Sequence, residues 1–593
     1  MSWLLSVLVF VSCAMALVAQ SPDESTTAER RARLKAALQE EWEYQLRTYP
    51  ELATSVGDNR YNDRLSDYSA ESFAGQMRHA RQALLVFESI DTRGFPEQER
   101  LSRELMIRGL REQIEGARFK DWEMPVDQMN GLHIGLASLP SNTMFRSVKD
   151  YQDYIARLHQ IPRVLEQATA NMRAGLHDHL VQPRYLLEKV VLQAQDIASK
   201  SAEDSPFSQP VHSFPAGISD AEQKSLRETV TAVIAQDVAP AYARLAQFLR
   251  TEYAPKGRTE YGVWALPDGD ARYRFYVKQM TTTNLGPEEI HQLGLKQVAE
   301  IETEMLKIAS QQGFNDLPSF NDHIRNDPKL YATSGEQLLE LYKHYTDQMY
   351  AKLPQLFGRL PTSKLEVVPM EAFRAANSVP ADYSIGAGDG SRPGRINVNE
   401  YDPGHRMMLN VEAIAYHEGI PGHHLQFSIA QEESGLPAFR RFTYYNAYSE
   451  GWAFYAERLG KEVGFYQDPY SEYGRLENEM WRSIRLVVDT GVHSQHWSRQ
   501  QMVDFFRQHT AMDESTIGTE VDRYIAWPGQ ALAYKLGQMK IFELRERTRE
   551  QLGDRFDLRA FHDALLADGP LPLDVLEANM NRWIAAQKNE VSQ

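Results

Sequence analysis

Three histidines and one glutamate lie within a single short stretch, AYHEGIPGHHLQ, at residues 415–426. His417 and Glu418 are adjacent, and His423 and His424 follow within seven residues of His417. Helices that bind zinc beside a general base commonly carry His-Glu-x-x-His, with both histidines on one face. In this chain the second histidine follows His417 by six or seven positions instead of four. The stretch therefore predicts a metal site, with His417 as the first ligand and Glu418 as the adjacent base.

Helix geometry favours one of the two later histidines as the second ligand. At about 100° per residue, His424 lies about 20° from His417 on a helical wheel, and His423 lies about 120° away. A regular helix would separate His417 from His424 by roughly 10 Å along its axis, too far for one ion. Pro421 interrupts helical hydrogen bonding and, with Gly422, permits a bulge that absorbs the extra residues. We expect His424 to be the ligand, and His423 is the alternative if the bulge is smaller.

An acidic residue on the following helix should complete the site. Glu450 lies in the segment NAYSEGWAFYAERLG, which has the apolar spacing of a buried helix. A carboxylate facing that interior is costly unless it is paired or bound to a metal. Catalytic zinc takes three protein ligands and one open position. We predict one Zn²⁺ per chain, held by His417, His424 and Glu450, and we interpret Glu457 as a surface residue or as a partner of a ligand.

The elements that position these residues are predicted to be mostly helices. Amphipathic helical patterns cover much of residues 28–356, and helix dominates again after residue 400. Two blocks break this pattern. Residues 261–283 are aromatic and β-prone, and residues 364–400 contain two strand-like runs, LEVVPM and RINVNE. We expect a mostly α fold with a small antiparallel sheet beside the helix that carries His417.

Length and composition define the broad class of protein. With 593 residues, of which 42% are hydrophobic, the chain can bury a large globular core. The net charge of −17 leaves no basic stripe for phosphates, which argues against nucleic acid as a partner. We predict a single helical domain over residues 20–593, with the metal site within residues 360–540.

The first residues of the chain predict an export signal. Residues 3–18, WLLSVLVFVSCAMALV, are uncharged and apolar but short for a membrane span, and no later run reaches spanning length. We therefore predict a leader at residues 1–19 and no transmembrane span after it. Cys13 is the only cysteine, so no disulfide forms within the chain. The run FVSC loosely resembles a lipobox and makes Cys13 a candidate lipid anchor, so we expect a periplasmic or envelope-anchored protein.

Several longer motifs carry a family resemblance. HEGIPGHHLQ, SEGWAFYAERLG and RYIAWPGQALAYKLGQ, preceded by DGSRPG, resemble the bacterial domain-of-unknown-function family 885. The similarity includes PELATSVGDNRYNDRLSD near the start and YGVWALPDG in the middle, so it covers nearly the whole chain. Members of that family are often exported or lipid-anchored and are regarded as metallopeptidase-like. The resemblance implies a large two-lobed helical fold around a cleft, with a peptide as the substrate.

A more distant resemblance suggests further site residues. HHLQF followed by SEGWA is similar to part of the active site in peptidases of the angiotensin-converting-enzyme and thimet-oligopeptidase types. That similarity matches His424 and Glu450 to metal ligands, although this chain has three extra residues between its histidines. It also implies a histidine and a tyrosine on later helices as donors to the oxyanion. We assign these roles to His493, oriented by Asp489, and to Tyr534.

Alternatives to these donors, and candidates for substrate binding, lie in the same motifs. His496 is the alternative to His493, and Tyr524 is the second choice to Tyr534. A substrate carboxylate would need cations near the metal. We predict that substrate is bound by four residues, each with a purely structural role as the alternative: Arg392, Arg523, Tyr524 and Lys535.

These predictions combine into one functional hypothesis. We expect an exported zinc-dependent metallohydrolase, an oligopeptidase or carboxypeptidase, that uses Glu418 as the general base. One alternative is a non-catalytic helical envelope protein that binds a peptide or a partner in the same cleft. Another is a metal-dependent amidase or esterase that acts on a non-peptide substrate.

Overall fold

The computed structural model describes residues 26–376 and 378–589. The predicted leader at residues 1–19 and Cys13 lie outside the described residues. Helices dominate, so the predicted mostly α fold is confirmed. Helix α1 (Thr27–Thr48) shows how local sequence sets a boundary: the Thr26 side chain accepts the backbone N–H of Glu29, and the Glu29 carboxylate accepts that of Thr26.

The N-terminal part of the chain is helical and contains two apolar clusters. After α1, its helices are α2 (Pro50–Val56), α3 (Ala70–Glu88), α4 (Glu97–Gly116), α5 (Leu132–Ala137), α6 (Leu139–Asn142), α7 (Val148–Leu158), α8 (Ile161–His177), α9 (Arg184–Ser199), α10 (Asp220–Val233) and α11 (Ala239–Phe248). One cluster lies around Tyr154, Val190 and Leu249, and α1, α3 and α4 form the other around Leu34 and Phe87.

The middle of the chain is also helical, including the block that was expected to be β-prone. Its helices are α12 (Gly269–Thr281), α13 (Pro287–Gln311), α14 (Leu317–Asn326), α15 (Gly335–Tyr350), α16 (Leu353–Leu356) and α17 (Ala372–Ala375). Helix α12 replaces the predicted extended structure at residues 261–283. Its buried residues include Gly269, Arg272, Tyr273 and Val277, which recur at helical spacing, so tertiary burial overrides the local β propensity of the aromatic side chains.

A three-stranded sheet lies just before the histidine-rich segment in the chain. Its strands are β1 (Leu365–Pro369), β2 (Ala381–Ser384) and β3 (Gly394–Val398), in the order β1-β3-β2. Strands β1 and β3 overlap most of the two predicted runs. They pair in parallel, whereas β2 pairs antiparallel with β3, so the sheet is mixed and not antiparallel as predicted. The reason is the connection between β1 and β3, which is long enough for a crossover and contains both α17 and β2.

The C-terminal helices carry most of the candidate site. They are α18 (Val411–Glu418), α19 (His423–Glu432), α20 (Ala438–Arg441), α21 (Asn446–Glu462), α22 (Pro469–Ser494), α23 (Arg499–His509), α24 (Glu514–Ala526), α25 (Leu532–Leu552), α26 (Leu558–Leu566) and α27 (Leu573–Asn589). Helices α21 and α25 cross closely because Gly451 and Gly537 face each other. A Cβ on Gly451 would lie 2.5 Å from the Gly537 Cα. This approach brings Glu450 on α21 near Tyr534 on α25.

Helix α22 runs through the centre of the molecule. Every residue from Tyr473 to His493 is buried, and the helix packs against α13, α18, α23, α24 and α25. Across the described residues, no helix combines the length and apolar character needed to cross a membrane.

Candidate metal centre

The histidine-rich segment is two helices joined by a sharp turn. Helix α18 ends at Glu418 and α19 begins at His423, with non-helical backbone at Gly419 (ψ −115°) and Gly422 (ψ −126°). Gly422 is required by the close approach of the turn, since a Cβ there would lie 2.0 Å from the carbonyl oxygen of His417. The predicted departure from regular helix at Pro421 and Gly422 is therefore confirmed.

The turn brings three potential metal ligands together. His417 Nε2 lies 3.5 Å from Glu450 Oε2, and His423 Nε2 lies 3.4 Å from the same oxygen. One ligand atom from each of these residues falls within 4.8 Å of the others, and all three residues are buried. They are supplied by α18, α19 and α21. Two imidazoles and one carboxylate form a donor set typical of catalytic zinc.

Hydrogen bonding leaves the ligand atoms free to face an ion. Glu457 Oε1 lies 2.8 Å from His417 Nδ1, so Glu457 holds the Nδ1 proton and Nε2 is the nitrogen that can bind a metal in exchange for its proton. Tyr444 donates a 2.6 Å hydrogen bond to Glu450 Oε1. Glu450 Oε2 is buried and accepts no hydrogen bond from any residue that the structure describes. An orphaned buried carboxylate oxygen between two imidazoles fits a cation site.

The electrostatics of the cluster also suit a cation. Burial alone would raise the pKa of Glu450, but His423 and His417 hold it well below its usual range, so the carboxylate is ionised. Burial would likewise lower the pKa of His417, but Glu450 and Glu457 raise it to about 9. The cluster thus stabilises positive charge on His417. A divalent ion held by these residues would supply that charge in place of the proton.

The second ligand differs from the prediction. His424 Nδ1 lies 3.0 Å from the Tyr383 hydroxyl, and its Nε2 lies 3.1 Å from the carbonyl oxygen of Ser363. Both ring nitrogens are thus occupied away from Glu450, and burial lowers the pKa of His424 to about 4. His423 takes the place predicted for His424. The helical-wheel argument assumed that one deformed helix carries both histidines. The turn between α18 and α19 instead starts a new helix, so side-chain directions on α19 do not follow from those on α18.

The cluster opens into a cleft of about 350 Å³, a size suited to a small ligand. Glu418 lines this cleft, is half-buried, and accepts no hydrogen bond from the residues the structure describes. Burial raises its pKa to about 7, although His417 and His423 act in the opposite direction. A carboxyl group whose pKa lies near neutral is suited to take up and release a proton.

Two further predicted residues line the same cleft. The Tyr534 ring stacks 6.0 Å from the His417 ring, and burial raises the pKa of its hydroxyl, which therefore stays protonated at neutral pH. Arg523 lines the cleft beside it, 5.9 Å from the Tyr534 ring centroid. Both placements agree with the predicted donor and substrate-binding roles, which themselves stay predictions.

His493 lies in the protein core and not in the cleft. Its Nδ1 accepts the backbone N–H of Val263 at 3.1 Å, and its Nε2 donates to the carbonyl oxygen of Tyr524 at 2.9 Å. The predicted orienting residue, Asp489, instead accepts hydrogen bonds from Tyr273 and from the backbone of Gly529. Burial lowers the pKa of His493 to about 3. The predicted oxyanion role of His493 is corrected to a structural role. Its alternative, His496, stacks on Trp264 and does not line the cleft.

Three of the predicted substrate-binding residues do not line the cleft and instead have polar partners within the protein. Arg392 donates to the carbonyl oxygens of Ile385 and Ser55, and so ties the loop before β3 to α2. Tyr524 donates to Glu520 on the same helix. Lys535 pairs with Glu479 at 3.2 Å. For each of these residues, the structure shows a polar contact within the protein in place of the predicted contact with substrate. This is the purely structural role expected as the alternative from the sequence.

Glu457 is the partner of a candidate ligand, His417, which is one of the two roles considered for it from the sequence, and it is buried rather than at the surface. The structure also adds site residues that the sequence did not predict: Tyr444 orients Glu450, and Arg482 and Arg485 line the cleft. One signal for the arginines was present in the sequence: they lie three residues apart in the apolar run MWRSIRLVV, where a buried charge needs a partner.

Fold and site define a large helical protein with a candidate metal centre in its cleft, and sequence comparison identifies its family. The sequence matches the family described as "Bacterial protein of unknown function (DUF885)" over residues 50–580. The chain belongs to this family, which confirms the resemblance found in its motifs. No curated protein matches the chain in sequence.

Two solved structures share the fold. One is described as "the putative lipoprotein from Colwellia psychrerythraea"; it is 29% identical, with a TM-score of 0.87, and the match covers 95% of this chain and 100% of that one. The other is described as "a putative lipoprotein of unknown function from Shewanella oneidensis"; it is 17% identical, with a TM-score of 0.66, and the match covers 94% of this chain and 100% of that one. The second likeness concerns the fold alone.

Proposed function

We propose that this protein is a zinc-dependent metallohydrolase that cleaves peptide bonds. One observation carries the proposal: His417, His423 and Glu450 converge in a cleft that also holds the unpaired carboxylate of Glu418. A metal-ligand triad beside a free general base is the minimal equipment for metal-assisted hydrolysis.

His417 Nε2, His423 Nε2 and Glu450 Oε2 are the atoms that would hold the ion. When bound, Zn²⁺ supplies a Lewis acid for the scissile carbonyl group and lowers the pKa of water. Glu457 keeps His417 in the tautomer that presents Nε2, and Tyr444 fixes the rotamer of Glu450. These two partners are positioning residues, because they act through the ligands.

We assign the proton transfers of peptide hydrolysis to Glu418. As general base it takes a proton from the attacking water, and as general acid it passes that proton to the nitrogen of the departing amine. Its pKa of about 7, raised by burial, suits both steps at neutral pH. Tyr534, whose hydroxyl stays protonated, is our candidate hydrogen-bond donor to the carbonyl oxygen as negative charge develops on it.

We also propose that the protein works at the cell envelope, held by a lipid on Cys13. The apolar leader and the run FVSC support this placement. The relative from Colwellia psychrerythraea is itself called a putative lipoprotein. Metabolic labelling of expressing cells with a palmitate analogue tests the anchor: wild type should be labelled and Cys13→Ala should not.

Hydrolysis of a peptide library by zinc-loaded protein tests the proposed function. We expect cleavage by the wild type and none by Glu418→Gln, with equal zinc content in both. Stoichiometric zinc together with turnover of small amides or esters, but not of peptides, would favour the amidase or esterase alternative. Purified protein that cannot bind a metal would contradict the proposal and favour the non-catalytic alternative.

A further inference from the structure

Three buried arginines line the cleft next to the candidate metal centre. Arg482 and Arg485 lie on α22 and Arg523 lies on α24, and each is at most 5% exposed. Aromatic faces hold the guanidinium planes of the first two: Arg482 stacks 4.3 Å above Trp481, and Arg485 stacks 4.3 Å above Tyr534. Stacking fixes these groups but leaves their N–H donors to be satisfied in the ring plane.

The acids of the protein do not satisfy all of these donors. Glu520 Oε2 pairs with both Arg485 and Arg523, each at 3.1 Å. The acid nearest Arg482 is Glu457, at 3.6 Å, and that same oxygen already binds His417. Within the described part of the chain, Nε and Nη1 of Arg482 and Nη1 of Arg485 are buried without a hydrogen-bond partner.

The remaining charges around the cleft are committed elsewhere. Glu418 and Glu450 lie at the candidate metal centre, and Arg374 is paired with Glu371 and Asp382. Glu520 is shared by Arg485 and Arg523, and Glu457 is shared by Arg482 and His417. These two acids therefore do not balance the charge of the three arginines. A buried guanidinium without a counter-ion is unfavourable, and a planar carboxylate that accepts two parallel N–H bonds is the group that best relieves it.

Shared contacts place these arginines beside the metal ligands. Arg482 and His417 both approach Glu457 Oε1, and the Tyr534 ring contacts both His417 and the guanidinium of Arg485. An extended peptide advances only about 3.5 Å per residue. An anion bound at Arg482 therefore lies within a few residues of a scissile bond positioned at the metal centre.

We propose that Arg482 and Arg485 form a subsite for the C-terminal carboxylate of a peptide, so that the protein acts as a carboxypeptidase. This inference rests on the proposed peptidase function and specifies its substrate class. A C-terminal carboxylate is the anion that every free peptide carries. A subsite close to the metal centre selects bonds near that end of the chain.

Binding to an inactive variant tests the subsite without relying on turnover. Zinc-loaded Glu418→Gln is titrated calorimetrically with tri-alanine and with its C-terminal amide. We expect the free acid to bind about tenfold to a hundredfold more tightly, the range expected for charge-assisted hydrogen bonds. Adding Arg482→Gln should remove the preference, and Arg482→Lys should retain part of it. Arg458→Gln, on the exposed side of α21, is the matched control and should keep it.

Three outcomes would overturn the subsite. The first is equal affinity for acid and amide. The second is binding of inorganic phosphate without any preference for the free acid. The third is an amidated peptide with an internal aspartate that binds as tightly as the free acid. A preference for the free acid that depends on Arg482, without peptide hydrolysis by the wild type, would support the subsite while the proposed function fails.

Discussion

His423 Nε2 lies 3.4 Å from Glu450 Oε2, whereas the adjacent His424 directs both ring nitrogens to Tyr383 and Ser363. Two neighbouring histidines thus have different roles. The first completes a cluster with His417, and the second fastens α19 to the sheet and to the segment before it. The turn between α18 and α19 produces this division, because it sets where the first residue of α19 points.

Replacing the general base should stop catalysis without disturbing the metal centre. Glu418→Gln keeps the size of the side chain but removes its ability to take a proton. We expect kcat to fall on the order of a thousandfold, within the range for loss of a general base. Steady-state kinetics on any peptide that the wild type cleaves measures the change, with zinc content as the control. A Glu418→Gln variant that cleaves at the wild-type rate would exclude the proposed mechanism.

Removing the partner of His417 should weaken zinc binding. Glu457→Gln replaces the carboxylate that accepts the Nδ1 proton with a neutral amide. We expect zinc affinity to fall about tenfold to a hundredfold, as is typical when a carboxylate behind a metal-bound histidine is lost. Competition with a fluorescent chelator gives the dissociation constant. Glu462→Gln, on the same helix but paired with Arg545, is the control and should bind as the wild type does.

A buried glutamate that does not line the cleft should make stability depend on pH. Burial raises the pKa of Glu477 from 4.5 to about 7, although the backbone N–H of Ala511 acts against the shift. The group is protonated in both states below about pH 4.5. The unfolded chain ionises first as the pH rises, so this contribution to stability is lost between about pH 4.5 and 7, up to about 3 kcal/mol.

Glu477→Gln should therefore stabilise the protein at pH 8 and have little effect at pH 5. Thermal or denaturant unfolding of the variant and the wild type at both pH values measures the difference. Glu479→Gln is the contrasting control: Lys535 and Arg475 hold the pKa of Glu479 below its usual range, so this substitution should destabilise at both pH values. Equal effects of Glu477→Gln at pH 5 and pH 8 would rule out the raised pKa.

The sequence predicted the helical fold and three of the four residues that the structure brings together in the candidate site, because their signals are local. Apolar periodicity marks the helices, and His417, Glu418 and Glu450 are expensive to bury without a function. The second histidine was not predictable in the same way. Its direction depends on backbone angles at Gly419 and Gly422, which no periodic pattern encodes.

The wrong assignment of His493 and the failure to predict Arg482 and Arg485 have a common physical cause. Helix α22 is buried on all sides from Tyr473 to His493, so an inward-facing residue on it can meet either the cleft or the core. His493 meets the core, whereas Arg482 and Arg485 meet the cleft. The antiparallel pairing of the sheet was also predicted wrongly. The parallel pairing of β1 with β3 depends on the crossover between them, which neither strand's own sequence encodes.

Zinc titration of three proteins tests the central claim most directly. Isothermal calorimetry on the metal-free wild type, His423→Ala and His424→Ala compares adjacent histidines under identical conditions. We predict one zinc per chain for the wild type and for His424→Ala. For His423→Ala we predict that the affinity for zinc falls more than about a hundredfold. Removing a metal ligand should weaken binding more than removing the carboxylate that is hydrogen-bonded to a ligand. Zinc binding that survives His423→Ala but is lost in His424→Ala, or no binding by the wild type, would contradict the account.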